Sequence, residues 1–576
     1  MPEQSHIDIG RSHLAEWEQS KPRNYLETDR NIQNLLQMHL GEEQYQRHWE
    51  LLRRAGELAA GPMDELARES NRDENLPYLR RHDGVGRQTE EVVFHPTYHH
   101  LGALVWSTGV LWALREPAGD LLCGALAYLI DHNGEAGHAC PVACTAGLIK
   151  LLRQVGTQEQ RDRYLPQLTE TDYSKRLHAA QFVTEVQGGS DVGINACRAT
   201  PDPDRPGMFR VSGEKWFCSV MDAQLFVMTA RPEGGGEGTS GLGLFLVPRF
   251  VDGAPNNFTI RRLKYKLGTR SLATGEADFD GALAEPLGLL HRGFKNLISI
   301  VLDTSRVHNA VAACGAMRRA YVEAQTFARH RVAFGLPIIE HPMVQERLAR
   351  MKVLTAAALS TTFRILALSD RLERADEPDA DLIAARRTHV NINKYWTAIN
   401  CTSVVRDGIE VLGGNGTIEE LSVLPRLYRD AIVVESWEGT HNTLCAQILR
   451  DFAKRGLHRP WLKEVRTATQ DLSHASLGAH RERAEALYRD VAQRIDRLLG
   501  NGEEYATRHI RHVVDHMCTL NSYVSLLAEL DWELAHDIES DKPAIVDLYR
   551  LLQVDKVDPM ERDELGKLHQ QVIATL

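Results

Sequence analysis

Five short stretches of this 576-residue chain combine side chains that could do chemistry. In Val433-Val-Glu-Ser-Trp-Glu-Gly-Thr-His-Asn442, Glu438 stands between an indole and a glycine in an apolar neighbourhood. Desolvation there disfavours the carboxylate and moves its pKa towards the range of a general base; a capping or ion-paired glutamate would have the same neighbours. In Gln181-Phe-Val-Thr-Glu-Val-Gln-Gly-Gly-Ser-Asp191, two glycines free the backbone to approach a flat or phosphorylated ligand, with the hydroxyls of Thr184 and Ser190 at either end. A plain strand-to-turn corner reads the same way. Gly213-Glu-Lys-Trp-Phe-Cys-Ser219 ends in an aromatic pair that is either core or a wall on which a planar ring stacks. Arg329-His-Arg-Val-Ala-Phe-Gly335 sets cations beside an aromatic and a glycine, which suits a helix terminus or a diphosphate clamp. Gly413-Gly-Asn-Gly416, after Glu410-Val-Leu412, is a C-cap whose exposed N–H groups could also hold an anion.

The elements that must position these residues fall into zones. Residues 1–178 read as a helical domain: Asn31–Leu58 and Leu121–Val155 carry apolar residues at three- and four-residue spacing, broken by Gly61-Pro62 and by Gly134–Gly137. Residues 179–288 switch to period two, in runs beginning at Phe209, Gln224, Leu242 and Phe258 with turn clusters between them, and predict an antiparallel sheet domain. The glycines of 234–241 have no following helix or lysine and are read as a hairpin loop. In 289–450 the helical period returns over Val307–His330, Met343–Ala375 and Leu382–Leu412, predicting a bundle. Residues 451–576 form a further helical block in which Ala484–Leu499 reads as an amphipathic packing helix. The fold class is therefore mostly α with a central antiparallel β-domain and extra helices at the C-terminal end.

Composition narrows the function. Apolar residues make up 43% and charged residues 25%, values of a globular chain with ample core. No run approaches about 20 apolar residues, so no membrane span is expected. The chain is polar from its second residue, and no secretory signal is expected. Nine scattered cysteines without a Cys-x-x-Cys pair suit a reducing, cytoplasmic setting, with Cys140 and Cys144 a core pair one helical turn apart. The net charge of −11 argues against a broad polyanion-binding surface. Residues 451–576 hold 17 Lys and Arg against 22 Asp and Glu, with one basic strip at Lys454, Arg455, Arg459, Lys463 and Arg466. DNA binding, which depends on pairing phosphates with cations, is disfavoured on that balance.

Taken in order, the motifs resemble the acyl-CoA dehydrogenase family of flavoproteins over roughly residues 90–450. The colinear set is Val-Thr-Glu-x-x-x-Gly-Ser-Asp, Gly-x-Lys-Trp, Lys266-Leu-Gly-Thr-Arg270, Arg-x-x-Phe-Gly, Leu-Gly-Gly-Asn-Gly, Leu-Tyr-Arg-Asp and Trp-Glu-Gly-Thr. Phe94-His-Pro-Thr-Tyr-His-His-Leu101, Gln187-Gly-Gly-Ser190, the Asn of Trp437-Glu-Gly-Thr-His-Asn442 and the long C-terminal extension are similar to the bacterial alkylation-response branch. That resemblance implies a helical N-domain, a β-barrel or sandwich middle domain and a C-terminal four-helix bundle, in a homotetramer or homodimer. Members of the branch have been associated with duplex DNA, which leaves a DNA-binding flavoprotein with little dehydrogenase activity as the alternative function. The same scaffold also hosts flavin monooxygenases, which typically lose the catalytic glutamate kept here.

The resemblance further implies that FAD is bound. Val183, Thr184 and Ser190 would lie along the flavin, and Trp216, Phe217, Cys218 and Ser219 would form the opposite wall, with Cys218 where many relatives carry threonine. Arg331, Phe334, Glu410, Gly413 and Gly414 match positions that grip the diphosphate and adenosine of a neighbouring subunit's FAD, while Pro342 replaces a glutamine that contacts the adenosine. Thr440 and Asn442 would complete the cofactor site. Glu438 matches the commonest catalytic base; Ser305 occupies the alternative base position, where it cannot take a carbon-bound proton. Arg306 and Ser190 would serve the substrate side. The implied reaction removes the α-proton of an acyl-CoA thioester by Glu438 as a β-hydride passes to flavin N5, with an electron-transfer flavoprotein as acceptor.

Overall fold

A computed structural model describes residues 6–576. The chain forms two units, one of Pro62–Ala127 with Glu135–His308, the other of the residues up to Gly61 with Tyr128–Gly134 and Asn309–Leu576.

The first of these carries the sheet. Its strands are β1 (Ala179–Phe182), β2 (Arg198–Pro201), β3 (Phe209–Ser219), β4 (Leu225–Pro232), β5 (Gly243–Pro248), β6 (Phe258–Leu263) and β7 (Thr274–Pro286). They run in the order β6-β7-β3-β2-β4-β1, and β5 joins β4 to β7, closing the sheet on itself. Most pairings are antiparallel; β1 and β2 each run parallel to β4. In β4 every position from Leu225 to Arg231 is buried, the near-continuous apolar run of a strand covered on both faces. Phe182 stacks on Phe226 at 4.6 Å in this core; each such ring removes apolar surface worth about 1.5–3 kcal/mol from water. The 234–241 glycines lie between β4 and β5, which pair antiparallel, as a hairpin loop should. Strand β7 has little alternation in its sequence and escapes a period-two reading. The helical zone also contains an antiparallel hairpin, Tyr78–His82 with Gln88–Val93, whose strands are short, polar and largely exposed and so carry no apolar signal.

The other unit is helical. Helix α1 (Leu302–His330) begins before its boundary, followed by α2 (Pro342–Arg374), α3 (Ala380–Leu412), α4 (Leu424–Ser436), α5 (His441–Arg455), α6 (His458–Gln470), α7 (Gly478–Gly500) and α8 (Glu503–Ala535). Asn31–Leu58, read as one helical segment, is two helices, because Gly41 takes φ 77° and stops the first at Leu40. Pro342 starts α2 at a position where its missing N–H costs nothing. Helix α2 has the length and composition of a membrane span, yet 89% of its apolar window is buried, which makes it a core helix. Residues Thr388–Tyr395 of α3 are buried without interruption, so that helix is surrounded on every side.

The C-terminal segment is built into this unit. Helix α8 packs on α2, α3 and α5, and its buried Glu529 and Glu533 accept hydrogen bonds from Asn31, Asn34 and Ser360. Lys542 pairs with Glu529 at 2.7 Å. Burial pushes the Glu529 carboxyl up to about 7 against the pull of that ammonium. A carboxyl raised in the folded state contributes stability that is complete below its unfolded value and is lost as pH climbs through the folded one. Urea midpoints of the wild type are therefore expected to fall between pH 5 and 8, and Glu529→Gln to flatten that decline; an identical slope in the variant would refute the assignment.

Candidate functional site

In the sheet unit, β1 ends at Phe182 and the chain turns a corner over residues 183–191. Glu185 and Gly188 exchange backbone hydrogen bonds at 3.3 and 3.1 Å. Gly188 is required there, since a Cβ would lie 2.6 Å from the carbonyl oxygen of Asp191. Beneath the corner, the wholly buried ammonium of Lys215 meets the Glu185 carboxylate at 2.8 Å, which also accepts the N–H groups of Ala196 at 2.5 Å and Cys197 at 3.3 Å. Burial alone would raise the Glu185 carboxyl; Lys215 and these donors outweigh it and hold the group below its ordinary range. The N–H of Trp216 donates to the Thr184 carbonyl at 2.9 Å, fastening the corner to β3. Val183 and Thr184 are left half-buried and Ser190 exposed.

Along the end of β3 accessibility alternates. Phe217 is 49% exposed, Cys218 is fully buried and Ser219 is half-buried. Successive strand residues point to opposite faces, so Phe217 and Ser219 share the open face and the thiol of Cys218 is sealed in the core, where burial pushes its pKa up. Cys218 is thus enclosed behind the face where it was expected to form part of a cofactor wall, and Ser219, bonded to Thr274 at 3.1 Å, is the accessible hydroxyl. Trp216 lies under the Lys264 ammonium, 3.5 Å from its ring centroid. Ser305 is buried and hydrogen-bonded to Gln181 at 3.1 Å. Arg306 is 4% exposed.

In the helical unit, Glu438 sits in the connection between α4 and α5. Trp437 is extended (φ −67°, ψ 150°), Glu438 takes φ 58°, and Gly439 φ 107°. The left-handed region costs a side-chain-bearing residue about 1–2 kcal/mol, and such strain persists only where the surroundings fix it. They do so here through Lys394, a wholly buried residue of α3, whose ammonium donates to the carbonyls of Glu435 at 2.9 Å and Gly439 at 3.0 Å, one on each side of Glu438. Asn309 adds a bond to the Val434 carbonyl at 3.1 Å. Thr402 and His441 hold the Glu435 carboxylate. Thr440 caps α5, its hydroxyl accepting the N–H of Thr443, and Asn442 accepts a hydrogen bond from Arg511 at 2.8 Å.

The remaining candidates lie on separate elements of this unit. Arg331 follows the end of α1 and enters a hairpin, Val332–Ala333 with Leu336–Pro337. The loop residues Phe334 and Gly335 take φ 54° and 86°, the two positive values of a type I′ turn, and hold Phe334 98% exposed. The Arg331 guanidinium is exposed and has no ion-pair partner among the described residues. Glu410, near the end of α3, faces Arg347 at 3.6 Å. Gly413 (φ 60°) and Gly414 are exposed, and a Cβ on either would meet nothing within 4 Å. Sequence reasoning missed Lys394 and Arg511. Lys394 had a signal, a lysine inside an otherwise apolar and amide-rich stretch of α3; Arg511 lies 69 residues from its partner and had none.

Three family models match the chain: an AidB adaptive response protein N-terminal domain over 17–175, an acyl-CoA dehydrogenase middle domain over 180–282 and an acyl-CoA dehydrogenase C-terminal domain over 291–453. AidB of Escherichia coli strain K12 is 33% identical over 467 residues, 76% of this chain and 82% of that protein. Acyl-CoA dehydrogenase family member 11 of Caenorhabditis elegans is 32% identical over 439 residues, 74% of this chain and 69% of that protein. Among solved structures, Caenorhabditis elegans ACDH-11 in complex with C11-CoA superposes with a TM-score of 0.82 at 26% identity, covering 96% of each chain.

The clamp on the 435–439 loop can be tested without any ligand. Lys394→Met leaves two part-buried carbonyls without this partner, at about 1–3 kcal/mol each. It is expected to lower the unfolding free energy by about 3 kcal/mol on that basis and to speed amide hydrogen exchange at residues 436–440. Unchanged exchange in that loop would show that the lysine does not hold it.

Proposed function

The chain belongs to the acyl-CoA dehydrogenase family, and from that membership we propose that it uses FAD to desaturate the α,β-bond of an acyl-CoA thioester, with Glu438 as the base. The observation that carries the reading is the strained, doubly clamped backbone at Glu438, which fixes the stretch of chain from which its carboxylate projects. The C11-CoA complex of the Caenorhabditis elegans relative supports an acyl-CoA as substrate class.

The residues present fit the dinucleotide. The Arg331 cation and the open backbone at Gly413–Gly414 suit a diphosphate; the Thr184 hydroxyl has no protein partner among the described residues; and Nδ1 of His441, beside Thr440, is buried with no hydrogen-bond partner. Val183, Thr184, Ser190, Trp216, Phe217 and Ser219 would hold the flavin, Thr440 and Asn442 its chain, and Arg331, Phe334, Glu410, Gly413 and Gly414 the diphosphate and adenosine of a neighbouring subunit's cofactor. Bound FAD supplies the acceptor for the β-hydride that leaves as the α-proton is removed. Glu438 takes that α-proton onto its carboxylate, and the thioester becomes a trans-2-enoyl thioester. The developing enolate needs a hydrogen bond to its oxygen, a donation that the family resemblance assigns to the N–H of Glu438. Arg306 would support the substrate side from beneath. The working assembly is a homotetramer or homodimer in the cytoplasm, of four segments, 1–178, 179–288, 289–450 and 451–576, passing electrons to an electron-transfer flavoprotein.

A second reading, duplex-DNA binding with little dehydrogenase activity, is favoured by the match of residues 17–175 to the AidB N-terminal domain. The basic strip weighs against it, because Lys463 pairs with Asp381 at 2.8 Å and Arg455 with Asp451 at 3.6 Å. No retardation of duplex DNA at about 50 mM salt, where phosphate contacts are strongest, removes that reading.

With a panel of acyl-CoAs under anaerobic conditions, the wild type is expected to bleach its flavin. Glu438→Gln should retain FAD and bleach about 10²–10⁴-fold more slowly, the span attributed to general base catalysis. A variant that bleaches at the wild-type rate would overturn the role of Glu438.

A further inference from the structure

The side chain of Asn442 is engaged from a distant segment. Nη2 of Arg511, in α8, donates to its Oδ1 at 2.8 Å. The charges around that contact are sorted unequally. One turn earlier, Arg508 is paired with Glu504 at 2.7 Å. One turn later stands Asp515, four residues on and so the natural ion-pair partner for Arg511; instead it accepts the hydroxyl of Tyr395 at 2.7 Å. The ring of Tyr395 in turn meets His441 edge-on at 5.3 Å. Arg511 is exposed and is left with no carboxylate partner among the described residues.

A guanidinium offers five N–H donors in a planar fork. With one amino group held by the amide of Asn442, the fork is oriented and its remaining donors are available to an anion. The family resemblance does not supply this residue, since position 511 lies beyond the matched domains, which end at 453. Resting on the FAD reading given above, we propose that Arg511 is a cofactor-binding residue contributed by the C-terminal segment: its guanidinium takes a diphosphate oxygen of FAD while Asn442 holds it in place. The extension is then part of the cofactor site.

Full-length protein stripped of flavin is titrated with FAD and, separately, with riboflavin, which lacks the diphosphate. Loss of a charge-assisted hydrogen bond is worth about tenfold or more in Kd, so Arg511→Met should weaken FAD by at least about that factor and leave riboflavin unchanged. Arg511→Lys, which keeps the charge and loses the fork, should recover part of the affinity. The gap between wild type and Arg511→Met should narrow as salt is raised from about 50 to 500 mM, because an exposed charge contact is screened. If wild type binds FAD and Arg511→Met binds it equally well, the inference falls and the proposed function stands. Equal losses for FAD and riboflavin would mean that Arg511 only supports the loop, which also overturns it. A wild type that takes up neither flavin overturns the FAD reading itself. If Arg511→Met does not fold, Arg511→Lys and its salt series decide between the same outcomes.

Discussion

A single buried ammonium decides what the rest of the helical unit can do. Lys394 is wholly enclosed, and a buried cation is tolerated only when its donors are satisfied. Two of them are spent on the carbonyls either side of Glu438, so the lysine's need for partners and the loop's need for restraint meet in one place. The unbroken burial of α3 around it follows from this arrangement: an exposed lysine would give its donors to water and the loop would lose its anchor. The positive φ of Glu438 can then be held without a glycine at that position, which keeps a carboxylate where a more permissive residue would have none.

The sheet unit uses the same device with the charge reversed. The Glu185 carboxylate, buried below a corner, is satisfied by Lys215 and two backbone N–H groups. In each case an ionised group is sunk under a turn and the turn is tied down by that group's hydrogen bonds. A buried pair of this kind is weak support for stability overall, since desolvation offsets most of the attraction. Its value is in selecting one backbone path over its competitors.

How much of this was legible in the residues differs by kind of signal. The long helices followed from hydrophobic period, because α1, α2 and α3 are long enough for the pattern to repeat. The 78–93 hairpin and β7 did not, since their strands show little alternation. The site motifs were legible as a colinear set, yet which side chains of 216–219 are accessible was not: it depends on which face of β3 meets the core, and Cys218 turned out to be enclosed. Lys394 stood out only as a charge within a buried helix, and no local pattern links residue 442 to residue 511. Contacts between distant segments leave no trace in spacing.

The way α8 is packed has a practical side. Ten of the eleven residues of its middle, Met517–Leu527, are buried, and the helix packs on α2 and α3, where Asn521 accepts a hydrogen bond from Arg364 and Glu529 one from Ser360. Trimming the protein back to the last residue of the recognisable catalytic portion, near 453, would therefore not yield a smaller working enzyme. It would uncover side chains of α2 and α3 that are buried in the whole chain and leave the Tyr395 hydroxyl without its acceptor, a molecule prone to clump before any flavin could be offered to it.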